Sequence, residues 1–565
     1  CIRDRYGVNK ENGKRSAYIP KDVYWGLVRK SRGSLGYNER QYETMEGTLS
    51  FRHKFWNMID VNAVAGMGRY LDKGTGMTVS YQNANDMIND SNLAAADGPF
   101  SPTSYKYENE KRSQFLRASF DVLDRYVLTG TLRRDGTDKF FPDKKYSLFP
   151  SASVAWKMSN ESFMQHLSWL NLLKVRASYG VTGSDNLGTS LYGIIGISRE
   201  DVKFSNSGVT YVPYALQSAN YSDVTWQKTA MKNIGLDFSI LKDKIWGSLD
   251  FFRNDVTNLL GTAPTSLLNM YGYRPINGGH YKRTGVELSL NTLNIQTPNF
   301  KWTSSLALSH YNAYWIERMP NFDYKKYQKR ENEPMSAYYY YKTVGVINED
   351  RSNMPDSQRS LPREAQLPGY PIIDDRNGDG KIDIDDIYMD NTLPKVYYGF
   401  GNTFTYKNFD LDIYMYGQLG VKKFNSTHAS NCSAANLASG TLASNPTDYA
   451  YAIWNSQTNP NGTVPGIASS KSVALPENAP INTFWEKASF LRVRNITLGY
   501  NWDTRKLAFL KGNVQTIRLF VDFQNPFTLT KFEGDDPEIT TAAGNLGHGQ
   551  YPQLRVYSFG AKISF

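Results

Sequence analysis

The chain is predicted to be all-β, a large antiparallel transmembrane β-barrel with long extracellular loops. Three observations predict it. Segment after segment alternates apolar and polar residues with period two, the mark of a strand with one greasy and one wet face. The connections between these segments are alternately short and long. No apolar run approaches the roughly 18 residues of a membrane helix, and the longest lies at 191–197. A helical membrane protein is excluded, whereas a strand barrel gives no hydropathy peak.

The last segment shows the pattern best. In 554–565, Tyr557, Phe559, Ala561, Ile563 and Phe565 alternate with Ser558, Gly560, Lys562 and Ser564. An apolar face toward lipid and a polar face toward a wet lumen would explain it, as would a sandwich strand facing a core. Read from the amino end, strands are expected at 44–53 and 58–68 around a turn at 54–57, followed by a polar segment, 69–113. Strands 114–122 and 126–134 share the turn 123–125. Strands at 149–157, 172–181, 232–240, 245–254, 283–292 and 301–310 come next, then an insertion, 311–395. Strands 396–406 and 409–419 are separated only by Lys407 and Asn408. A second insertion, 420–487, is rich in Asn, Ser, Ala and Pro. In strand 488–500 the parity switches near Arg494 and Asn495, which marks a bulge. Strand 515–524 and the closing strand bring the total to about fifteen, most of them long enough to cross a bilayer. A sandwich gives no reason for the alternation of short and long connections. A barrel with tight periplasmic turns and long outer loops does. Because fifteen is odd, residues 1–43, with an apolar patch at 23–28, are expected to form an outer loop and part of an outgoing strand.

Composition agrees. Aromatic residues make up 14%, with 39 Tyr and 28 Phe, which favours strands. The net charge of +10 implies an anionic partner. Lys and Arg are scattered without a basic helix or run, so lipopolysaccharide phosphate fits better than nucleic acid. Cys1 and Cys432 are too few for a disulfide framework or thiolate metal site. Cys1 resembles a lipidated cysteine, but a chain cut there reads more simply, and no signal peptide precedes it. The six histidines (His53, His166, His280, His310, His428 and His548) are dispersed without metal-ligand spacing, and no nucleophile motif is present, so no enzyme is expected.

Several stretches resemble SusC/RagA-type TonB-dependent outer-membrane transporters of Bacteroidetes. They are 124–136 (DRYVLTGTLRRDG), 149–156 (FPSASVAW), 173–183 (LKVRASYGVTG), 377–383 (NGDGKID), 488–500 (ASFLRVRNITLGY) and 524–530 (QNPFTLT) with Asp536-Pro537-Glu538. The resemblance implies a barrel of about 22 strands around an N-terminal plug. It implies import of glycans or oligopeptides driven by TonB–ExbB–ExbD through that plug, a SusD-like surface lipoprotein as lid, and pairing of two barrels with two lids. The plug and the early strands have no counterpart here, so a fragment, a split barrel or a nicked barrel are all open. A passive barrel or adhesin, and a soluble Ca²⁺-dependent binding module, are the alternatives from other classes.

Two sets of site residues stand out. Asp375, Asn377, Asp379, Gly380, Lys381, Asp383 and Asp386 occupy positions 1, 3, 5, 6, 7, 9 and 12 of an EF-hand-like loop. Hard oxygens suit Ca²⁺ in a structural role, with Lys381 offering its carbonyl and Asp386 in place of the usual Glu. An Asn-Gly/Asp-Gly turn cluster that binds nothing is the alternative, and the ligand spacing favours Ca²⁺. The aromatic set Tyr311, Trp315, Tyr338, Tyr339, Tyr340 and Tyr341 would stack on substrate, or simply pack the loop. Asp410, Asp412, Arg518 and Asp522 are expected to face the lumen.

Overall fold

The computed structural model describes residues 2–22, 31–83, 93, 96, 98–187, 191, 194–197, 204–206, 209–211, 214–218, 220–265, 273–328, 332–431, 451–466, 475–504, 514–534, 536–538 and 553–564. Cys1, the patch 23–28, Cys432, His548 and Phe565 lie outside them.

One antiparallel sheet of seventeen strands forms the wall. Sixteen are long: β1 (Ile2–Ile19), β2 (Arg32–Phe55), β3 (Ile59–Gln82), β4 (Ser101–Val122), β5 (Tyr126–Thr137), β6 (Tyr146–Lys157), β7 (Leu170–Ser184), β8 (Gln227–Ile240), β9 (Ile245–Pro264), β10 (Tyr273–Gln296), β11 (Phe300–Glu317), β12 (Val396–Tyr406), β13 (Phe409–Leu419), β14 (Phe490–Asp503), β15 (Thr516–Gln524) and β16 (Val556–Ser564). The seventeenth, Thr528–Thr530, pairs with the upper part of β14. Every long strand pairs antiparallel with its sequence neighbours, an up-and-down meander. Among the described residues no pairing joins β1 to β16.

The predicted turns are where the chain reverses. Trp56 and Asn57, Leu123 and Asp124, Leu241 to Asp243, and Lys407 all take positive φ, as tight hairpins between right-twisted strands require. The bulge in β14 falls at Arg494: Tyr414 pairs with Asn495 but Met415 with Val493. Segment 1–43 carries more strand than expected, holding β1 in full and the first part of β2. Segment 69–113 is likewise mostly strand, because β3 and β4 stay paired from Ser80 and Ser101 down to the turn. Its polar text reflects strands that rise beyond the lipid, where both faces are wet. β11 runs on to Glu317, so the insertion expected at 311 begins after the wall strand ends.

Among the described residues the apolar face has no second layer against it. Leu128 is 48% exposed, Ile234 61%, Phe251 56% and Phe559 81%. On the other face, polar side chains bond one another: Arg176 reaches Asp237 (3.0 Å) and Asp250 (2.7 Å), Arg518 pairs with Asp410, and Thr497 donates to Asp522 (2.5 Å). Greasy outside and polar inside is the inverse of a soluble sandwich and the arrangement of a lipid-facing barrel wall. No helix of the described residues is long and apolar enough to cross a membrane.

Candidate functional site: the outer module

The two insertions do not fold separately. Tyr339, Tyr341, Ile347, Leu361, Ala365, Tyr370, Ile373, Ile382 and Ile387 from the first bury themselves with Leu475, Ala479 and Ile481 from the second. Hydrogen bonds stitch the two: the Tyr341 N–H donates to Pro480 O (2.8 Å) and the Thr343 N–H to the Asn482 side-chain Oδ1 (2.9 Å). The result is one outer module with its own core at the mouth of the wall.

The acidic loop sits on this core. Ile382 and Ile387 anchor it, and between them Asp383 and Asp386 form a capping box over a short 3₁₀ turn. Asp375 accepts from the N–H groups of Gly378 (2.8 Å) and Gly380 (3.0 Å). Asn377 accepts from the Asp379 N–H (3.1 Å), and Asp379 from the Lys381 N–H (3.1 Å). Gly378 and Gly380 take φ of +72° and +85°, which lets the chain curl around the carboxylates. Asp386 is fully buried and accepts from Arg376 (2.9 Å), Asn377 (3.4 Å) and Asp383 (2.8 Å). Burial raises its pKa, and the nearby Asp375 adds to that. Asp383 is held below the usual range by the Asp385 N–H and by Lys381, whose ammonium lies 3.1 Å away.

The donor set is all oxygen and its curl is that of a hard-cation loop. The carboxylates are spread over backbone N–H groups, however. Among the described residues, ligand atoms of three His, Cys, Asp or Glu come within 4.8 Å of one another only at His428, Glu486 and Glu533.

The aromatic set is divided by strand parity. Tyr339 and Tyr341 point into the module core: Tyr339 donates to Glu333, and Tyr341 donates to Asp383 O (2.9 Å). Tyr338 and Tyr340 point the other way and begin a row of rings. Tyr338 lies 3.9 Å from Trp485 and 5.4 Å from Tyr340, which stacks on Tyr388 at 5.8 Å. Burial pushes the Tyr338 and Tyr340 hydroxyls upward, and the bond from Tyr340 to Asp390 (2.8 Å) adds to its shift. Lys342 and Arg376 sit over the Tyr388 ring at 5.5 and 5.1 Å. Tyr311 and Trp315 belong to the wall. Tyr311 stacks on Tyr397 (5.6 Å, 2° between planes) beneath Arg283, and Trp315 meets Tyr281 and Arg318.

Sequence reasoning missed Trp485, Tyr388 and Tyr397, because each joins the rings only across strands distant in sequence. It also missed the anchor below the module. Arg492, 3% exposed, bonds Asp536 (2.7 Å), Glu538 (2.5 Å) and Thr528 (2.8 Å), and Tyr416 donates to Glu538 (2.6 Å). Lys423, also buried, donates to Pro537 O. The signal was present: Arg492 and Asp536-Pro537-Glu538 both lie in the stretches that carry the family resemblance.

A lipid-facing meander with a structured outer module and a charged lumen defines the wall of an outer-membrane transport barrel. The profile of the "TonB dependent receptor-like, beta-barrel" family matches residues 3–525, and the chain belongs to that family. It is 26% identical over 600 residues to TonB-dependent receptor P3 of Formosa agariphila, covering 100% of this chain and 56% of the relative. It is 27% identical over 476 residues to TonB-dependent receptor SusC of Bacteroides thetaiotaomicron, covering 82% of this chain and 44% of the relative. The chain thus spans about half the length of the curated relatives it matches. Among solved structures it resembles the RagAB peptide transporter, with a TM-score of 0.79 and 18% identity over 100% of this chain and 60% of that one, which is a likeness of fold.

Proposed function

We propose that this chain forms the wall and outer mouth of a SusC-like importer that moves glycans or oligopeptides across the outer membrane. Energy comes from TonB–ExbB–ExbD through a plug domain, a SusD-like lipoprotein covers the mouth, and two barrel–lid pairs associate. No enzymatic step is part of this reading. The observation that carries it is the outer module, in which the two long insertions share one packed core above a lipid-facing wall. Purification with native partners, followed by mass spectrometry of co-eluting chains and uptake assays in cells with and without TonB, tests it. A co-purifying surface lipoprotein and TonB-dependent uptake support it. Uptake indifferent to TonB would make the barrel passive.

Within that reading, Asp375, Asn377, Asp379, Asp383 and Asp386, with the Lys381 carbonyl, take a structural Ca²⁺. The ion would offset the mutual repulsion of the carboxylates and hold the ordered loop. Tb³⁺ luminescence, displaceable by Ca²⁺, is the test. It is abolished in Asp375→Asn/Asp379→Asn if the loop binds, and unchanged if it does not. Tyr338, Trp485 and Tyr388, each partly exposed, serve as the stacking surface for substrate, with the buried Tyr340 packed between Tyr338 and Tyr388. Tyr339 and Tyr341 hold the core, while Tyr311 and Trp315 line the passage below.

A further inference from the structure

The outer face of β7–β11 carries a charged patch directly above its apolar belt. The belt's upper row is Ala177, Ile234, Phe251 and Val286, paired side by side. One pleat repeat higher, roughly 7 Å along the strands, the row reads Tyr179, Lys232, Arg253 and Thr284. The next brings Asp255 between Ala230 and Lys282, with Tyr314 beyond, and the one above it holds Lys228, Thr257 and His280. All share the parity of the exposed Ile234 and Phe251, so they face away from the lumen.

Lys232 and Arg253 are direct cross-strand neighbours, and like charges so placed repel. A single carboxylate lies among them. Asp255 is 2.9 Å from Arg253, 3.6 Å from Lys232 and 3.9 Å from His280. Glu317 pairs opposite His280 at the far edge. Lys232, Arg253, Lys282 and Lys228 therefore outnumber the acids, and Lys232 and Arg253 keep more than half of their side-chain surface exposed. These strands run toward the long outer connections, so the patch lies on the outward side of the apolar row.

We propose that this patch binds the phosphorylated glucosamine headgroup of an outer-leaflet lipid. Arg253 and Lys232 take the phosphate, Lys282 and Lys228 complete the cationic rim, and the acyl chains descend over Ile234 and Phe251. Phosphate suits the site because Lys232 and Lys282 bring compact charges and Arg253, whose Nε and Nη2 donate to Asp255 (3.1 and 2.9 Å), keeps its positive charge and its Nη1 donors for it. The apolar row immediately below suits a lipid and not a free ion. The proposal rests on the membrane-barrel reading and not on the importer's cargo or energy source.

Native mass spectrometry of the detergent-solubilised protein with monophosphoryl lipid A added in steps reads the site. Wild type binds this lipid at least about tenfold more tightly than the same lipid stripped of phosphate, and millimolar inorganic phosphate does not displace it. Lys232→Gln/Arg253→Gln/Lys282→Gln weakens binding on the order of a hundredfold, at roughly fivefold per cation. Lys232→Arg/Lys282→Arg retains wild-type binding. Heat-modifiable gel mobility reports that each variant barrel is folded, and the wild-type comparison of the two lipids stands even if the triple variant does not fold. Equal binding of phosphorylated and stripped lipid, undiminished binding by a folded triple variant, or full displacement by inorganic phosphate would each overturn the assignment.

Discussion

Replacing Arg492 by Met removes the centre of the anchor that ties the outer connection after β15 to the wall. Arg492 and Asp536 are 3% and 4% exposed at the side chain, so the substitution leaves a carboxylate buried without its cation. Removing one partner of a buried pair typically costs about 3–5 kcal/mol. Asp536 keeps the N–H groups of Glu538 (2.8 Å) and Gln553 (3.0 Å), which places the loss near the lower end. About 3 kcal/mol corresponds to a local opening constant raised on the order of a hundredfold. Hydrogen exchange with mass-spectrometric readout, compared between peptides covering 526–538 and peptides from β12 and β13, measures it. Protection is lost in the first set and kept in the second. Adding Asp536→Asn removes the stranded charge and recovers most of the loss. The reasoning fails if Arg492→Met changes exchange at 526–538 by less than about threefold, or if Asp536→Asn restores nothing.

The same anchor has two pH signatures. Burial opposes the charge on Asp536, but the N–H groups of Gln553 and Glu538 and the Arg492 guanidinium outweigh it and lower its pKa. Its contribution is therefore complete above the ordinary value of 3.8 and fades as pH falls through the lower folded one, read as declining protection at 526–538 after correction for intrinsic exchange. Lys423 is pushed down by burial to about 8 from 10.5, so between these values the open state binds more protons and the anchor tightens as pH rises. Lys423→Met abolishes that slope. Asp386→Ala strips the acceptor from three backbone N–H groups and lowers the module's melting free energy by about 2–3 kcal/mol without added calcium, seen in near-ultraviolet dichroism. Phe251→Lys places a charge on the lipid face in the belt's upper row and costs about 1 kcal/mol, well short of a midplane site, measured by urea titration of the folded barrel in lipid vesicles.

Strand existence and facing were legible because lipid imposes a simple rule: alternate residues must be apolar over the belt and nowhere else. Tyr557, Phe559 and Ile563 obey it, and so do Leu128, Leu132 and Val154 on β5 and β6. The rule ends where the lipid ends. Above the belt, Arg40 faces Asp72 (2.8 Å) and Lys73 faces Glu108 (3.5 Å), so the upper parts of β2, β3 and β4 look like loop although they remain paired. The acidic loop was legible because its spacing is local. The ring row was not. Period two at 338–341 shows that Tyr338 and Tyr340 share a face, but nothing local says that Trp485 arrives beside them.

Charged and polar ties run through the joints of the outer region, between the two insertions and between the outer connections and the wall, and this decides how it can behave. Arg318 holds Glu333 at the top of β11, Lys422 reaches Asp390 (2.6 Å), His428 meets Glu486 (3.0 Å), and Arg492 holds Asp536 and Glu538. Apolar contacts slide at little cost, whereas the buried ties at Glu333, His428 and Arg492 each have one geometry and a partner that is expensive to strand, and the more exposed Lys422–Asp390 pair is the weakest of the set. The ring row spans the same joints, since Trp485 and Tyr388 lie on segments that Glu486 and Asp390 fix. The ring row is thus tied at its joints by polar bonds, in addition to the core contacts of Tyr339 and Tyr341 on the strand that carries Tyr338 and Tyr340. Loosening a tie such as Lys422–Asp390 should therefore tilt Tyr340 and Tyr388 against Tyr338 and Trp485 while leaving the module folded.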